Sequence, residues 1–153
     1  MQPCERRENR KWLLVNGTSL SNSSSKDPGD LIEAIRRENE HSQIVVVPDV
    51  HKIPAKLAQG FHWLVDTYET MAKKDGAVYI FSLMISRIDD ISDISAITRE
   101  VENILLQNWK ELNRDERQAL VTRISNFIIP VTKEDGIQFC PLKISSTIDV
   151  HIP

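Results

Sequence analysis

Ser42-Gln43-Ile44-Val45-Val46-Val47-Pro48-Asp49-Val50-His51 is the stretch on which the fold class turns. Ile44 to Val47 are consecutive β-branched apolar residues with no polar face, the pattern of a strand buried on both sides within a parallel sheet. Pro48 has no N–H to give to a ladder, so the strand is expected to end there. In open α/β sheets, ligands and chemistry sit beyond the carboxyl ends of the strands. Asp49 and His51 therefore fall where a catalytic loop would lie.

Working upstream, Asp27-Pro28-Gly29-Asp30 starts a helix. Asp27 can cap it, Pro28 suits its first position and Asp30 favours its positive end. Leu31, Ile32 and Ile35 then face inward along a short helix ending near Asn39. Before it, Asn16 to Ser25 reads as a polar loop, and Trp12 to Val15 as a strand. Residues 1–11 are polar and charged; they read as a flexible arm and not as a leader.

Downstream, a helix starting near Pro54 carries Leu57, Phe61, Leu64, Val65, Tyr68 and Met71 on one stripe, with Lys73, Lys74 and Gly76 at its end. Trp63 falls off that stripe. Ala77 to Ile85 is β-like. Asp93 or Ser95 caps a third helix with Ile97, Val101, Ile104, Leu105, Trp109 and Leu112 inward. Asn113 with Glu116 resembles a capping box for a fourth, carrying Leu120, Val121, Ile124, Phe127 and Ile128. A short strand is expected around Ile129 and Val131. The alternation predicts an α/β domain over 12–153, a three-layer α/β/α arrangement with a mainly parallel sheet.

The 153 residues suit one domain. No apolar run approaches the roughly 18 residues of a membrane span, so no membrane partner is expected. Two cysteines, Cys4 and Cys140, make neither a disulfide framework nor a metal quartet, which predicts an intracellular protein, cytoplasmic or nuclear. The four histidines, His41, His51, His62 and His151, lack the spacing of a zinc site. No glycine-rich phosphate loop follows a strand. No metal and no cofactor is therefore expected. A net charge of -3 argues against a dedicated nucleic-acid binder, despite the local cluster of Arg6, Arg7, Arg10 and Lys11.

Four constellations carry chemistry. Ser19, in Gly17-Thr18-Ser19-Leu20 after the first strand, suits a nucleophile if a histidine reaches it, and suits a solvated turn otherwise. Asp49 and His51 form an acid/base pair or a helix-entry loop in which Asp49 bonds locally. Asp135-Gly136-Ile137-Gln138 is a turn with a carboxylate. Asp149-Val150-His151 reads as a frayed end.

In order, these pieces resemble the SGNH (GDSL-type) hydrolase family, particularly its short esterase-like domains in some retroelement proteins. In that family a strand leads to Gly-Asp-Ser-Leu with the nucleophilic serine. A second block gives an oxyanion-hole glycine, and a buried strand ends in Gly-x-Asn-Asp, whose asparagine completes the hole. A final Asp-x-x-His supplies acid and base. Trp12 to Leu20 resembles the first block, with Thr18 for the aspartate and Ser19 at the serine. Ile44 to Ile53 resembles the third, Ala77 to Asp89 the strand and loop that follow, and Asp135 to Gln138 the last. In another alignment Trp12 to Ser25 is the second block and the nucleophile segment is absent.

The departures decide what the resemblance implies. Gln138 stands in place of the histidine, and an amide cannot act as general base near neutral pH. Pro48-Asp49-Val50-His51 replaces Gly-x-Asn-Asp, leaving no oxyanion asparagine, a loss worth roughly 10²–10³ in rate at comparable sites. The resemblance therefore implies a pseudoenzyme whose catalytic positions, Ser19, Asp135 and Gln138, and oxyanion region, Pro48, Asp49 and His51, are inactive. The expected function is protein–protein interaction, with a protein partner or a homodimer, and with Trp63 as a contact residue beside His62 and Tyr68. The alternatives are an active serine esterase using Ser19, Asp135 and His51 or His151, and an RNA-binding domain, since the family has non-catalytic RNA binders. The acidic balance weakens the second.

Overall fold

The computed structural model describes residues 11–38, 42–65, 77–86, 90–131, 147–149 and 152. Within them lie β1 (Lys11–Leu14), α1 (Gly17–Leu20), α2 (Pro28–Glu38), β2 (Ser42–Val47), a 3₁₀ turn (Val50–Lys52), α3 (Ala55–Ala58), α4 (Gly60–Leu64), β3 (Val78–Phe81), α5 (Ile94–Asn108), α6 (Arg114–Ile124) and β4 (Thr147–Asp149). The sheet has the order β3-β2-β1-β4, and every pair is parallel. The protein is thus mixed α/β with a parallel sheet, and the β-branched run sits on an interior strand.

The helix starts follow from local chemistry. Asp27 Oδ1 accepts from Gly29 N at 2.8 Å ahead of α2. Asp93 Oδ1 accepts from Ala96 N at 2.9 Å for α5, and Asn113 Oδ1 from Glu116 N at 2.9 Å for α6. The return half of the expected capping box is diverted: Glu116 Oε2 accepts from Gln59 Nε2 at 3.1 Å, tying α6 to the α3–α4 junction.

The register sorts the sheet residues into two rows. Leu13, Val45 and Tyr79 share one face, continued by Val15, Val47 and Phe81. Leu13, Val15, Val45 and Val47 are fully buried there. Phe61 of α4 meets Phe81 edge-on, with ring centroids 5.2 Å apart. The core continues through Leu31 and Ile35 of α2, Leu57 and Ala58 of α3, and Leu105, Trp109, Leu120 and Val121 of the α5–α6 pair. Trp109 Nε1 donates to Ile53 O at 3.0 Å, so its buried indole N–H has a partner and fastens α5 to the chain after the 3₁₀ turn.

The opposite row differs from expectation. Ile44 and Val46 are half-buried, while Val78 is 57% and Ile80 46% exposed. The central strand is fully buried on one face only. Other expectations also change. Gly17–Leu20 is a helical turn inside the expected polar loop, because Asn16 caps it. The long helix from Pro54 is interrupted at Gln59; its Tyr68 and Met71 lie outside the described residues. At Gly60 a Cβ would stand 2.9 Å from Pro28 O, so α2 approaches the second segment too closely for a side chain. Phe127, expected inward, is 82% exposed because α6 ends at Ile124. Ile129 and Val131 are exposed and form no strand; Thr147–Asp149 supplies the fourth, so Asp149 is paired to Leu14 and not frayed.

Candidate functional site at the strand ends

β1 and β2 end side by side, and the loops leaving them touch. Gly17 N donates to Pro48 O at 3.0 Å. A Cβ on Gly17 would lie 2.2 Å from Asp49 O, a distance at which no side chain fits. The glycine is thus required by the contact between two backbones. Asp49 completes the approach in the left-handed region, φ 53°, the only non-glycine residue there among the described residues. Aspartate tolerates that conformation better than most, at a cost of order 1 kcal/mol.

Three polar side chains close on each other above this contact. Asp49 Oδ2 accepts from Thr18 Oγ1 at 3.1 Å and from Lys52 Nζ at 3.1 Å. Lys52 Nζ also donates to Thr18 Oγ1 at 3.2 Å. The hydrogen bond from Lys52, then that from Thr18, holds the Asp49 carboxyl below its usual range. Asn16 Oδ1 accepts from Thr18 N at 2.9 Å and Ser19 N at 3.4 Å, so the first amides of α1 are already occupied.

Ser19 is exposed on α1, and its hydroxyl bonds to none of the described residues. His51 sits in the 3₁₀ turn with Nδ1 buried and bonded to none of the described residues. Burial lowers its pKa, against the opposing pull of Asp49, so the imidazole is neutral at neutral pH. No hydrogen bond joins Asp49 to His51 or His51 to Ser19. The structure thus gathers Thr18, Asp49 and Lys52 beside Ser19 without forming a relay. Val50, third residue of the block Pro48-Asp49-Val50-His51, has a fully buried, apolar side chain that offers no donor, and its backbone N–H donates to Ser82 O at 3.1 Å.

Asp135, Gln138 and His151 lie outside the described residues. Trp63 is 54% exposed on α4, off the buried side formed by Gly60 and Phe61, and its ring meets His62 edge-on at 5.5 Å. The sequence reading missed Lys52 and the capping role of Asn16. Both had local signals: a lysine three residues after Asp49, and an asparagine directly after an apolar strand. A surface depression lined by Gly29, Ile32, Glu33, Arg36 and Arg37 includes none of these residues. Among the described residues no helix is long and apolar enough to cross a membrane.

No protein-family model matches the chain, and no curated protein matches it.

Proposed function

We propose that the chain is a catalytically silent domain of SGNH-like, three-layer shape that works as a protein-interaction module. The observation that carries this reading is the closed polar circuit beside Ser19. The Asp49 carboxylate is paired with Lys52 and accepts from Thr18, and it makes no hydrogen bond to His51. Hydrolysis at Ser19 needs a base for its proton and donors for the developing oxyanion. The nearby amides of α1 serve Asn16, the position that the family fills with an oxyanion asparagine is a buried valine, and Gln138 offers no base. What is left for use is surface, and Trp63 is its largest exposed aromatic among the described residues. Aromatic anchors of this kind dominate interface energies.

The test is covalent. The protein is incubated with a fluorophosphonate probe and the Ser19 peptide is examined by mass spectrometry, with aryl-ester turnover followed in parallel. The expected result is no adduct and no turnover above background. An adduct at Ser19, with turnover abolished by Ser19→Ala, replaces this reading with that of an active serine esterase.

A further inference from the structure

The loop leaving β2 holds a polar atom that nothing around it answers. Its 3₁₀ turn, Val50–Lys52, is packed against α1 and α5. Val50 is fully buried and its N–H donates to Ser82 O at 3.1 Å. Lys52 N donates to Asp49 O at 2.8 Å, and Ile53 N to Val50 O at 3.2 Å. Between Val50 and Lys52 stands His51, whose Nδ1 is buried and makes no hydrogen bond. A neutral imidazole tolerates that place: with its one proton on Nε2, only a lone pair goes unanswered at Nδ1. A protonated imidazole carries an N–H on both nitrogens, and a buried N–H without an acceptor is costly. Among the described residues, the charges acting on the ring are Asp49, which favours the added proton, and Lys52, which opposes it. α1 bears no titratable side chain. The charged residues of α5, Arg99, Glu100 and Glu102, and its cap Asp93 are not among the groups that act on the ring. Burial outweighs the pull of Asp49, whose carboxylate is turned to Lys52 Nζ and Thr18 Oγ1.

We propose that this loop is an acid-released latch: a proton taken up by His51 drives the imidazole out to water, and the 3₁₀ turn opens with it, lifting Val50 from the core while the sheet stays folded. The turn is the place where such an opening is local. It is tied down by Val50, by Ile53 and by a few backbone hydrogen bonds, whereas β2 behind it is paired with a neighbour on each side. Thr18 Oγ1 donates to Asp49 at the start of the loop, so the opening reaches the α1 loop as well. Its direction with pH follows from linkage. The closed loop holds His51 below 6.5, and the open loop returns it to its ordinary value, so the open population rises as pH falls through 6.5. Between pH 7.5 and 5.5 the rise is about three- to tenfold. Asp49, held below its usual range, stays ionised over that window. The latch depends neither on the reading of Ser19 nor on the Trp63 surface.

The experiment is native-state amide hydrogen exchange followed by NMR on the full chain, at pH 7.5 and 5.5 and over a series of low denaturant concentrations. It compares the wild type with His51→Gln and His62→Gln, with protection corrected for the intrinsic effect of pH on exchange and circular dichroism melts confirming that the variants fold. In the wild type the amides of Val50, Lys52 and Ile53 are expected to exchange through an opening nearly independent of denaturant, and to be less protected than Val15 N, which donates to Val46 O within the sheet. Their protection is expected to fall about three- to tenfold at the lower pH, in His62→Gln as in the wild type, and not in His51→Gln. Loop amides that share the protection and denaturant dependence of Val15 open only with the whole chain, and that result in the wild type alone overturns the inference. Protection that is equal at the two pH values, or an acid loss that survives in His51→Gln, also overturns it.

Discussion

β2 and β3 lie side by side, and their paired residues, Ile44–Val47 and Val78–Phe81, are all β-branched or aromatic yet differ in their exposure to solvent. β2 loses Val45 and Val47 entirely to the core and keeps Ile44 and Val46 half-covered. β3 sends Tyr79 and Phe81 toward the same core and leaves Val78 and Ile80 in water. Composition does not separate them; position in the sheet does. An interior strand has neighbours on both sides, whereas an edge strand loses cover on its outer row and leaves half of its backbone groups unpaired. Apolar character alone therefore marks what a strand can bury, and only the strand order tells what it does bury.

Truncation sharpens this contrast most. Leu13→Ala, on the fully buried row, is expected to cost about 2–5 kcal/mol in chemical denaturation, from lost transfer energy plus a cavity. Val78→Thr, on the outer row of β3, is expected to stay within about 0.5 kcal/mol of the wild type. Equal losses would erase the distinction between the rows. Next comes Gly17→Ala. Its new methyl group meets the Asp49 carbonyl, and the forced separation of the two loops is expected to cost about 1–3 kcal/mol. A neutral result would mean that the strand ends yield more readily than the sheet does.

Smaller effects probe the polar circuit. Lys52→Met removes a solvent-exposed ion pair and is expected to cost no more than about 1 kcal/mol. Acid acts through His51 first. Its folded pKa lies below 6.5, so below about that pH the unfolded chain binds the proton more readily and stability falls. Asp49 adds a second loss further down, as pH drops through its lowered carboxyl pKa. A denaturation series in pH should show the upper loss disappear in His51→Gln. Smallest in stability is Trp63→Ala: a melting temperature close to the wild type is expected for a side chain 54% exposed. A core tryptophan would instead cost about 3–5 kcal/mol.

Features encoded within a few residues were legible. The end of β2 at Pro48, the cap Asn113, the cap Asp93 as one of the two residues offered with Ser95, and the exposure of Trp63 each follow from short-range rules. Features that depend on distant partners were not. The partial cover of Ile44 and Val46 depends on what lies across the sheet. The close approach of α2 to Gly60 depends on a contact with Pro28, and the recruitment of Thr147–Asp149 depends on β1. At the site, Asp49 and His51 were correctly placed beyond a strand, but their partners were not. Asp49 chose Lys52, which its i,i+3 spacing signals, and Thr18 of the neighbouring loop, which no local pattern sets.

The pairing of β4 with β1 has a consequence for how the chain is made. Lys11–Leu14 leaves the ribosome well before Thr147–Asp149. Until then the sheet has a vacant side at β1, a parallel strand whose backbone groups await a partner far along the chain. Pairings of such long separation form slowly, because loop closure precedes any reward. A nascent chain stalled before Thr147 should hold β1 and β2 together while remaining open to protease and chaperone on the β1 side.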